Sequence, residues 1–297
     1  MKRKLLFRGT ATALVTPFKK DGPVDETTLR ELVDFQLEGR VEAIVPVGST
    51  GEGATLGEDE QTGVITAVVE QVNGKVPVIA GASSNSTHKA VQLALEARKA
   101  GATAILSVAP YYNKPTQEGI YEHFSAIADA VEIPIVIYNV PGRTASNIAA
   151  ETVLRLAEEI PYIVGVKEAS ANFSQIMEIL RHRPAGFGVW SGDDNLTLPL
   201  VALGADGVIS VVSNEVPRLF SELVRHALKG RWEKARALHF KLLPLMDLNF
   251  VESNPIPVKA VLSRMGMIEE HYRLPLVPPG AASRKQIDKV LKDLNLL

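Results

Sequence analysis

The chain of 297 residues contains no cysteine, so it has no disulfide, no thiolate nucleophile and no thiolate metal ligand. It also lacks a strong excess of charge, because its formal net charge is -2 at pH 7 and its pI is near 6.3. Such a balance gives no general attraction for phosphate backbones or anionic lipid. We therefore expect neither nucleic acid nor a membrane among its partners.

Long apolar runs are missing as well, since none reaches the roughly 20 residues that a membrane-spanning helix needs. The N-terminal segment, Met1-Lys-Arg-Lys-Leu-Leu-Phe-Arg8, begins with positive charge like a signal peptide, but its apolar part is too short. We expect a cytoplasmic protein. No low-complexity segment and no linker composition divides the chain.

Short apolar runs of strand type recur along the chain, and an amphipathic helical segment follows each of them. This alternation indicates repeated βα units and a parallel sheet. The eight runs are residues 9–15, 42–47, 76–80, 104–108, 135–138, 163–167, 188–190 and 207–211. Hydrophobic residues make up 46% of the chain, which is enough for a substantial core. The pattern predicts an α/β fold, a (β/α)₈ TIM barrel.

The segments between the runs have the spacing of helices. We predict a helix over residues 25–38 with Asp25 as its N-cap, and another over 87–100 that ends at Gly101. Two more are predicted after the eighth strand, over residues 215–229 and 231–246. We therefore expect residues 1–214 to hold the barrel strands and helices, and residues 215–297 to form a C-terminal helical extension that completes the barrel and packs on its flank.

Lys167 ends an apolar run, Tyr162-Ile-Val-Gly-Val-Lys167, that has the composition of a strand buried on both faces. Burial lowers the pKa of an ammonium group, and a free amine near neutral pH forms a Schiff base with a carbonyl substrate. The same residues also permit a lysine at the barrel rim that is paired with the adjacent Glu168. The segment alone leaves both interpretations open.

The second strand ends in Gly48-Ser-Thr-Gly-Glu-Gly53, which we call the glycine loop (residues 48–53). In this architecture the chemistry lies at the carboxyl ends of the strands, and backbone N–H groups of such a loop can face a bound anion. The loop has no lysine at the spacing of a nucleotide-binding P-loop, so a small carboxylate suits it better. A tight turn that caps the next helix is an equally good interpretation.

Phenols and a guanidinium follow two further strands. Tyr111 and Tyr112 follow the fourth strand, Tyr138 ends the fifth, and Arg143 lies a few residues beyond it. A phenol can move a proton, and an arginine can hold a carboxylate by two parallel hydrogen bonds. Tyrosines that only pack and an arginine that lies on the surface are the alternatives.

Two carboxylates follow the seventh strand in Ser191-Gly-Asp-Asp194. We assign no metal to them, because no histidine lies nearby in the sequence and Asp194 precedes a helical segment as an N-cap would. The eighth strand ends in apolar residues, Ile209-Ser-Val-Val212, which we expect to wall a small pocket. The six histidines are scattered, and we expect them to be solvated or structural.

Together these motifs resemble the dihydrodipicolinate synthase (4-hydroxy-tetrahydrodipicolinate synthase) family, in the superfamily of Schiff-base aldolases and lyases that includes N-acetylneuraminate lyase. The resemblance runs from about residue 9 to beyond residue 259. Motifs of the whole superfamily are matched by the glycine loop, Tyr138-Asn-Val-Pro141 and Gly165-Val-Lys167. The synthases in particular are matched by the loop of residues 110–119, Arg143 and Asn254-Pro-Ile-Pro-Val-Lys-Ala260.

The resemblance implies a lyase of the class I aldolase type. It would condense pyruvate with L-aspartate 4-semialdehyde through a lysine Schiff base, in the diaminopimelate route to lysine, without a metal or any other cofactor. Lys167 would form the Schiff base, and a proton relay would run through Tyr138, Ser49 and Tyr112. The residues implied in substrate binding are Thr50, Arg143, Ile209 and Gly192.

The resemblance also implies an assembly. Tyr112 in this family reaches across a dimer interface, so the expected state is a homotetramer, a dimer of dimers. Ser49 departs from the family pattern, where threonine is common; the hydroxyl is kept, with more rotamer freedom than a β-branched residue has. We expect a small loss of positioning and the same mechanism.

The feedback inhibitor lysine binds some members of the family, and the corresponding positions here are Glu58, Gln61 and Lys89. Because Lys89 stands where those members have an acidic partner, we expect weak or absent inhibition by lysine. Two other functions stay open. One is another pyruvate-dependent lyase, such as an N-acetylneuraminate or keto-deoxy sugar acid aldolase, against which Arg143 argues. The other is a keto-acid sensor without turnover, which would need neither the amine nor the relay.

Overall fold

The computed structural model describes residues 4–297, and the first three residues of the N-terminal segment lie outside that range. Eight parallel strands alternate with helices. Strands β1 to β8 are Gly9–Ala13, Ala43–Val45, Ile79–Gly81, Ala104–Val108, Ile135–Asn139, Ile163–Glu168, Gly188–Ser191 and Gly207–Ser210. Helices α1 to α12 are Glu26–Glu38, Glu58–Val72, Thr87–Lys99, Gln117–Val131, Pro141–Thr144, Ala150–Glu159, Phe173–His182, Thr197–Ala202, Pro217–Leu228, Trp232–Leu248, Ile256–Arg264 and Ala281–Asp293.

The strands form one sheet in the order β2-β1-β8-β7-β6-β5-β4-β3. Its two end strands meet at a parallel bridge between Ile44 and Val78, where the Ile44 amide donates to the Pro77 carbonyl at 3.1 Å. The sheet is thereby closed, and the predicted (β/α)₈ barrel is confirmed. The third strand begins at residue 79, later than predicted, because Pro77 has no N–H to contribute to a ladder.

The indole of Trp190, on β7, fills the barrel interior. A Cβ added at Gly165 would lie 2.4 Å from this ring, and one at Gly188 would lie 2.2 Å from it. Phe7 stacks on the indole with the ring centroids 4.6 Å apart. Glycine in β6 and β7 therefore makes room for a large aromatic group beside the strand that carries Lys167.

The outer helices bury apolar faces against the strands, as their spacing predicted. The first begins after Asp25, whose carboxylate accepts a hydrogen bond from the Thr28 amide at 3.2 Å, so the predicted N-cap is confirmed. Gly101 follows α3 with a φ of +92°, a left-handed conformation that suits glycine. None of the helices within residues 4–297 has both the length and the apolarity to cross a membrane.

Four helices follow β8. Helix α9 contacts β1 and β8 and takes the place of the eighth helix of the barrel, and α10 to α12 lie beyond it. Phe220, Leu242, Val261 and Leu291, one from each of these helices, are buried in a common apolar cluster. The two helices predicted in this region are observed with ends shifted by one to two residues. A division of the chain at residue 214 stays a prediction.

Candidate active site

Lys167 lies at the barrel mouth beside Tyr138. The two residues are register partners on β6 and β5, and the lysine Nζ lies 4.3 Å from the centroid of the phenol ring. Both side chains are largely buried, with only 5% of Lys167 and 8% of Tyr138 exposed. Since both also line one cavity, an amine and a phenol face the same small space.

Glu168, the next residue along β6, points to the other face of the strand. Its carboxylate accepts hydrogen bonds from Asn139 Nδ2 at 3.1 Å, the Ser170 amide at 2.9 Å and Gln175 Nε2 at 3.2 Å. Burial raises its pKa, and these hydrogen bonds oppose that shift. The carboxylate is therefore occupied away from the barrel mouth, and the interpretation of Lys167 as the ion-pair partner of Glu168 is wrong.

The Lys167 amine is easier to deprotonate than an ordinary lysine. Burial lowers its pKa from 10.5 to about 8, because the charged form loses hydration; the nearby Arg143 guanidinium lowers it further. The carboxylates of Asp193 and Asp194 act in the opposite direction. A lysine with this pKa has a substantial uncharged fraction at physiological pH, as Schiff-base formation requires.

Asp194 is not the N-cap that the sequence predicted. Asp194 is the first residue of a short 3-10 turn, Asp194–Leu196, whose N-cap position is Asp193. The buried Asp194 carboxylate accepts hydrogen bonds from the amides of Val211 and Val212, at 3.0 and 2.8 Å. Burial raises the pKa of Asp194 to about 6. The residue joins the ends of β7 and β8. In residues 4–297 no group of three or more His, Asp or Glu side chains is placed to hold a metal ion.

The Tyr138 phenol holds its proton firmly. Burial raises its pKa well above the ordinary value, with further contributions from Asp193 and Glu168, although Arg143 opposes them. At neutral pH the side chain is therefore a neutral hydroxyl that can both donate and accept a hydrogen bond. It can pass a proton along a chain of hydroxyls. It cannot act alone as a general base, because its phenolate form is scarce at neutral pH.

Gly192 gives the lysine its space. A Cβ at this position would lie 2.6 Å from the Ala169 Cβ and 3.1 Å from Lys167 Cε. The Gly192 amide donates to the Glu168 carbonyl at 2.7 Å, which fixes the loop against the end of β6. A side chain at residue 192 would thus collide with Ala169 and crowd the end of the Lys167 side chain.

The glycine loop and Arg143 meet at one residue, Asn254, which the sequence marked only as part of a motif. Asn254 Nδ2 donates to Thr50 Oγ1 at 2.9 Å, and its backbone carbonyl accepts from Arg143 Nη2 at 3.3 Å. All three residues line the cavity of Lys167. The two side chains predicted to bind carboxylates are therefore held from the same point of the C-terminal extension.

Two cavities adjoin at the barrel mouth. The inner one, of about 50 Å³, contains Lys167, Thr50 and Gly192 in its lining, and the outer one is about 170 Å³. Ser49, Tyr138 and Arg143 line both of them. The predicted relay residues Ser49 and Tyr138 thus lie where the two cavities meet, whereas Lys167 lines only the inner cavity.

Two predicted site residues lie elsewhere in this chain. Tyr112 is 88% exposed, with a left-handed φ of +73°, and lines neither cavity. Ile209 is fully buried in the apolar interior of the barrel with Trp190, and Val211, two residues further along, lines the inner cavity instead. Ile209 lies within β8 (Gly207–Ser210) and so sits deeper in the barrel than the cavity, whereas Val211 follows the end of the strand and reaches it.

The three positions predicted for an inhibitor site are engaged with the protein itself. Lys89 Nζ lies 3.1 Å from Glu58 Oε1, in an exposed ion pair. Gln61 Nε2 donates to the carbonyls of Gly53 and Leu56, at 3.0 and 3.2 Å. Gln61 also lines the outer cavity, so this region borders the candidate active site.

The sequence pattern of the Dihydrodipicolinate synthetase family matches residues 6–294. The chain belongs to this family. A 4-hydroxy-tetrahydrodipicolinate synthase of Pelodictyon phaeoclathratiforme is 55% identical over 97% of this chain and 98% of its own. A second 4-hydroxy-tetrahydrodipicolinate synthase, from Chloroherpeton thalassium, is 53% identical over 100% of this chain and 98% of its own. The family membership thus extends over nearly the whole length of both proteins.

Solved structures of the family have the same fold. The dihydrodipicolinate synthase of Thermotoga maritima superimposes with a TM-score of 0.96 at 47% identity, covering 98% of this chain and 100% of the other. That of Aquifex aeolicus gives a TM-score of 0.96 at 46% identity, with coverage of 98% and 99%. The family membership makes the chain a lyase-type enzyme of the class I aldolase superfamily, as the resemblance implied.

Proposed function

We propose that this chain is a 4-hydroxy-tetrahydrodipicolinate synthase that condenses pyruvate with L-aspartate 4-semialdehyde through a Schiff base on Lys167. The observation that carries the proposal is the buried amine beside Tyr138, with a pKa lowered to about 8, in a cavity that Thr50 and Arg143 also line. The relatives that match 97% of the chain carry this activity in their names. No metal or other cofactor enters the proposed reaction.

The proposed reaction begins when the uncharged Lys167 amine adds to the keto carbon of pyruvate. Loss of water from the adduct gives an iminium, which draws electrons from the neighbouring methyl group. That methyl group gives up a proton, and the resulting enamine carbon attacks the aldehyde carbon of the semialdehyde. The amino group of the new chain then attacks the iminium carbon, which closes the ring and releases the lysine amine.

Protons move at each stage through hydroxyl groups in the proposed mechanism. Tyr138, whose pKa burial raises, donates a proton only while it receives another, so a chain of hydroxyls suits it better than a single base. Ser49, which lines the same cavity as Tyr138, is the proposed next member. Tyr112 of a second chain is the proposed third.

Each substrate has one carboxylate group, and the protein must supply a positively charged or hydrogen-bond-donating group to bind it. We assign the pyruvate carboxylate to the Thr50 hydroxyl and backbone N–H, and the semialdehyde carboxylate to Arg143. The bidentate geometry of a guanidinium suits a carboxylate. Gly192 is proposed to keep the space beside the imine free, and Ile209 to close the barrel beneath the site.

The competing function is another pyruvate-dependent class I lyase, such as an N-acetylneuraminate or keto-deoxy sugar acid aldolase. The two are separated by an assay of pyruvate with L-aspartate 4-semialdehyde beside an assay of N-acetylneuraminate and keto-deoxy sugar acid cleavage. We expect turnover with the first pair and none with the sugar acids. Cleavage of a sugar acid at a higher rate than the condensation would contradict the proposal.

The proposed assembly is a homotetramer, a dimer of dimers, in the cytoplasm. The exposure of Tyr112 supports a dimer at least, because a relay residue outside its own cavity needs a neighbouring chain to act. A related solved structure, 46% identical to this chain, is described as the first monomeric dihydrodipicolinate synthase variant. Sedimentation of the purified protein separates monomer, dimer and tetramer.

Weak or absent inhibition by L-lysine is proposed as well. A solved relative from Cyanidioschyzon merolae is described with lysine bound. In this chain the positive charge of Lys89 would repel the ammonium groups of the inhibitor, and its exposed ion pair occupies Glu58. A titration of activity with L-lysine tests this, and half-inhibition at micromolar lysine would contradict it.

A further inference from the structure

Glu52, in the glycine loop, and Lys259 form a buried pair on the side of the loop away from the cavity. Lys259, on α11, and Glu52 both have fully buried side chains, and Lys259 Nζ donates to Glu52 Oε1 at 2.5 Å. The residues are 207 positions apart in the sequence. Neither lines the cavity of Lys167, so the proposed chemistry makes no direct use of them.

Net stabilisation alone does not account for this pair. Removing two charges from water costs much of their hydration free energy, and a pair of well-packed apolar side chains often stabilises a core as well. Burial lowers the pKa of Lys259, and the charge and hydrogen bond of Glu52 oppose that shift. The Phe18 ring, whose centroid lies 4.3 Å from Nζ, packs on the ammonium group. An ion pair differs from an apolar pair here because its hydrogen bond fixes the position of one side chain relative to the other.

The backbone of Glu52 needs such fixing. Its φ of 53° and ψ of 32° are left-handed, a conformation that residues other than glycine adopt only where their surroundings hold them. The Glu52 amide donates to the Ser49 carbonyl at 3.2 Å, which closes the turn around Thr50. The second carboxylate oxygen, Oε2, accepts from the Arg273 amide at 3.4 Å. Both oxygens of Glu52 are thus bound to the C-terminal extension.

The same extension also holds the cavity side of the loop. Asn254, five residues before Lys259, donates to Thr50 Oγ1 at 2.9 Å. The extension therefore contacts the glycine loop at two points, at Thr50 on the side of the cavity and at Glu52 on the side away from it. The Thr50 hydroxyl and N–H, the groups assigned to the pyruvate carboxylate, are held between these anchors.

We propose that Lys259 and Glu52 are positioning residues for pyruvate. By fixing the turn at Glu52, the pair holds the Thr50 hydroxyl and N–H in the orientation that binds the keto-acid carboxylate and presents the carbonyl carbon to Lys167. This inference rests on the proposed function. It predicts that disruption of the pair weakens pyruvate binding and leaves the later steps nearly intact.

The test uses Glu52→Gln, Lys259→Met and the double variant in the full-length protein. Glu52→Gln keeps the size of the side chain and one oxygen acceptor, and the double variant leaves no unpaired buried charge. For each protein we would measure the pyruvate concentration that gives half-maximal borohydride trapping, the KM for each substrate, kcat and the melting temperature. Lys289→Met, which breaks the exposed pair of Lys289 with Asp293, is the matched control.

We expect the half-saturating pyruvate concentration to rise about tenfold or more in the Glu52→Gln and double variants, since carboxylate binding depends on a fixed donor geometry. The KM for the semialdehyde and kcat at saturating pyruvate should stay within about threefold of the parent. The control should match the parent in every measurement. A double variant that melts near the parent temperature and keeps the parent half-saturation would overturn the inference, as would a lower melting temperature alone.

The trapping measurement needs only pyruvate, so it separates this inference from the proposed function. If the parent traps pyruvate but does not condense it with the semialdehyde, the proposed second substrate is wrong and the positioning role is still decided by half-saturation. If the parent turns over both substrates and the variants bind pyruvate normally, the positioning role alone is wrong. A parent that traps no pyruvate contradicts both.

Discussion

Lys167 and Tyr138 face each other across two neighbouring strands, with the lysine Nζ 4.3 Å from the centroid of the phenol ring. The cost of burying these two polar groups shifts both of their pKa values in the direction that keeps them uncharged. An uncharged amine can attack a carbonyl carbon, and a neutral phenol can exchange protons with its neighbours. The pair therefore combines the nucleophile and the first proton carrier of the proposed reaction.

The first prediction concerns the Tyr138 hydroxyl. Tyr138→Phe keeps the buried ring and removes only the oxygen, so we expect an intact fold and a fall in kcat of about 10²- to 10⁴-fold, the usual loss for a positioned proton carrier. Steady-state kinetics with both substrates measure it. Tyr162→Phe, at a half-buried position just before β6, should keep the parent rate. A Tyr138→Phe variant whose kcat stays within threefold of the parent value would exclude the hydroxyl from the rate-limiting proton transfers.

The second prediction is a pH dependence of imine formation. With a pKa of about 8, roughly one Lys167 amine in ten is uncharged at pH 7, whereas an ordinary pKa of 10.5 would leave about one in three thousand. With this pKa, the uncharged fraction of Lys167 rises about tenfold per pH unit below pH 8 and levels off above it. The rate of imine formation should follow the same curve. Rapid-quench reduction of the enzyme–pyruvate imine at several pH values measures this rate.

A variant with a changed charge tests the cause of that dependence. Asp193 raises the pKa of Lys167, so Asp193→Asn should move the midpoint of the imine-formation profile to lower pH. A parent rate that keeps rising steeply to pH 10 would show an ordinary lysine and contradict the assigned pKa.

The third prediction concerns the space around the amine. In Gly192→Ala the added Cβ would meet Ala169 Cβ at 2.6 Å and Lys167 Cε at 3.1 Å, so the lysine must move. We expect slower imine formation by about tenfold or more, because small displacements of a nucleophile cost much of its rate. The control is Gly63→Ala, a glycine in α2 with nothing within 4 Å of its added Cβ. That change should gain up to about 1 kcal/mol of stability from helix propensity and keep the parent rate. Equal rates in both variants would contradict the steric argument.

The fourth prediction concerns Tyr112 and the assembly. If Tyr112 completes the cavity of a second chain, then Tyr112→Phe and Lys167→Arg chains should complement each other. Half of the dimers in an equal mixture are hybrids, and each hybrid has one intact site, so the mixture should recover about a quarter of parental activity. Co-expression with two different affinity tags and isolation of the hybrid makes the measurement. A hybrid that is no more active than the Tyr112→Phe or the Lys167→Arg protein alone would place Tyr112 outside the relay.

The barrel could be predicted from the sequence because its strands are short, apolar and evenly repeated, and each is followed by a helical segment. The strand ends then indicated the site, since the parallel arrangement brings them to one rim. Lys167, Tyr138, Ser49 and Thr50 line one cavity for that reason. The N-cap at Asp25 was equally predictable, because it depends on residues three positions apart.

Contacts between distant parts of the chain could not be predicted in the same way. The bond from Lys259 to Glu52 spans 207 residues, and the one from Asn254 to Thr50 spans 204, without any periodic pattern that would pair them. Asp194 shows the converse error. A local capping rule fits its sequence neighbours, but its carboxylate binds the buried amides of Val211 and Val212 at the end of β8 instead. Local rules fail where a tertiary contact competes for the same side chain.

The most direct test of the account is reductive trapping with peptide mapping. The protein is treated with pyruvate and borohydride and digested, and the modified peptide is identified by mass spectrometry. We predict a single covalent adduct on Lys167 and none in Lys167→Arg, which keeps the positive charge but cannot form the imine. An adduct on another lysine, or the same labelling of Lys167→Arg and the parent, would contradict the assignment of Lys167 as the Schiff-base residue.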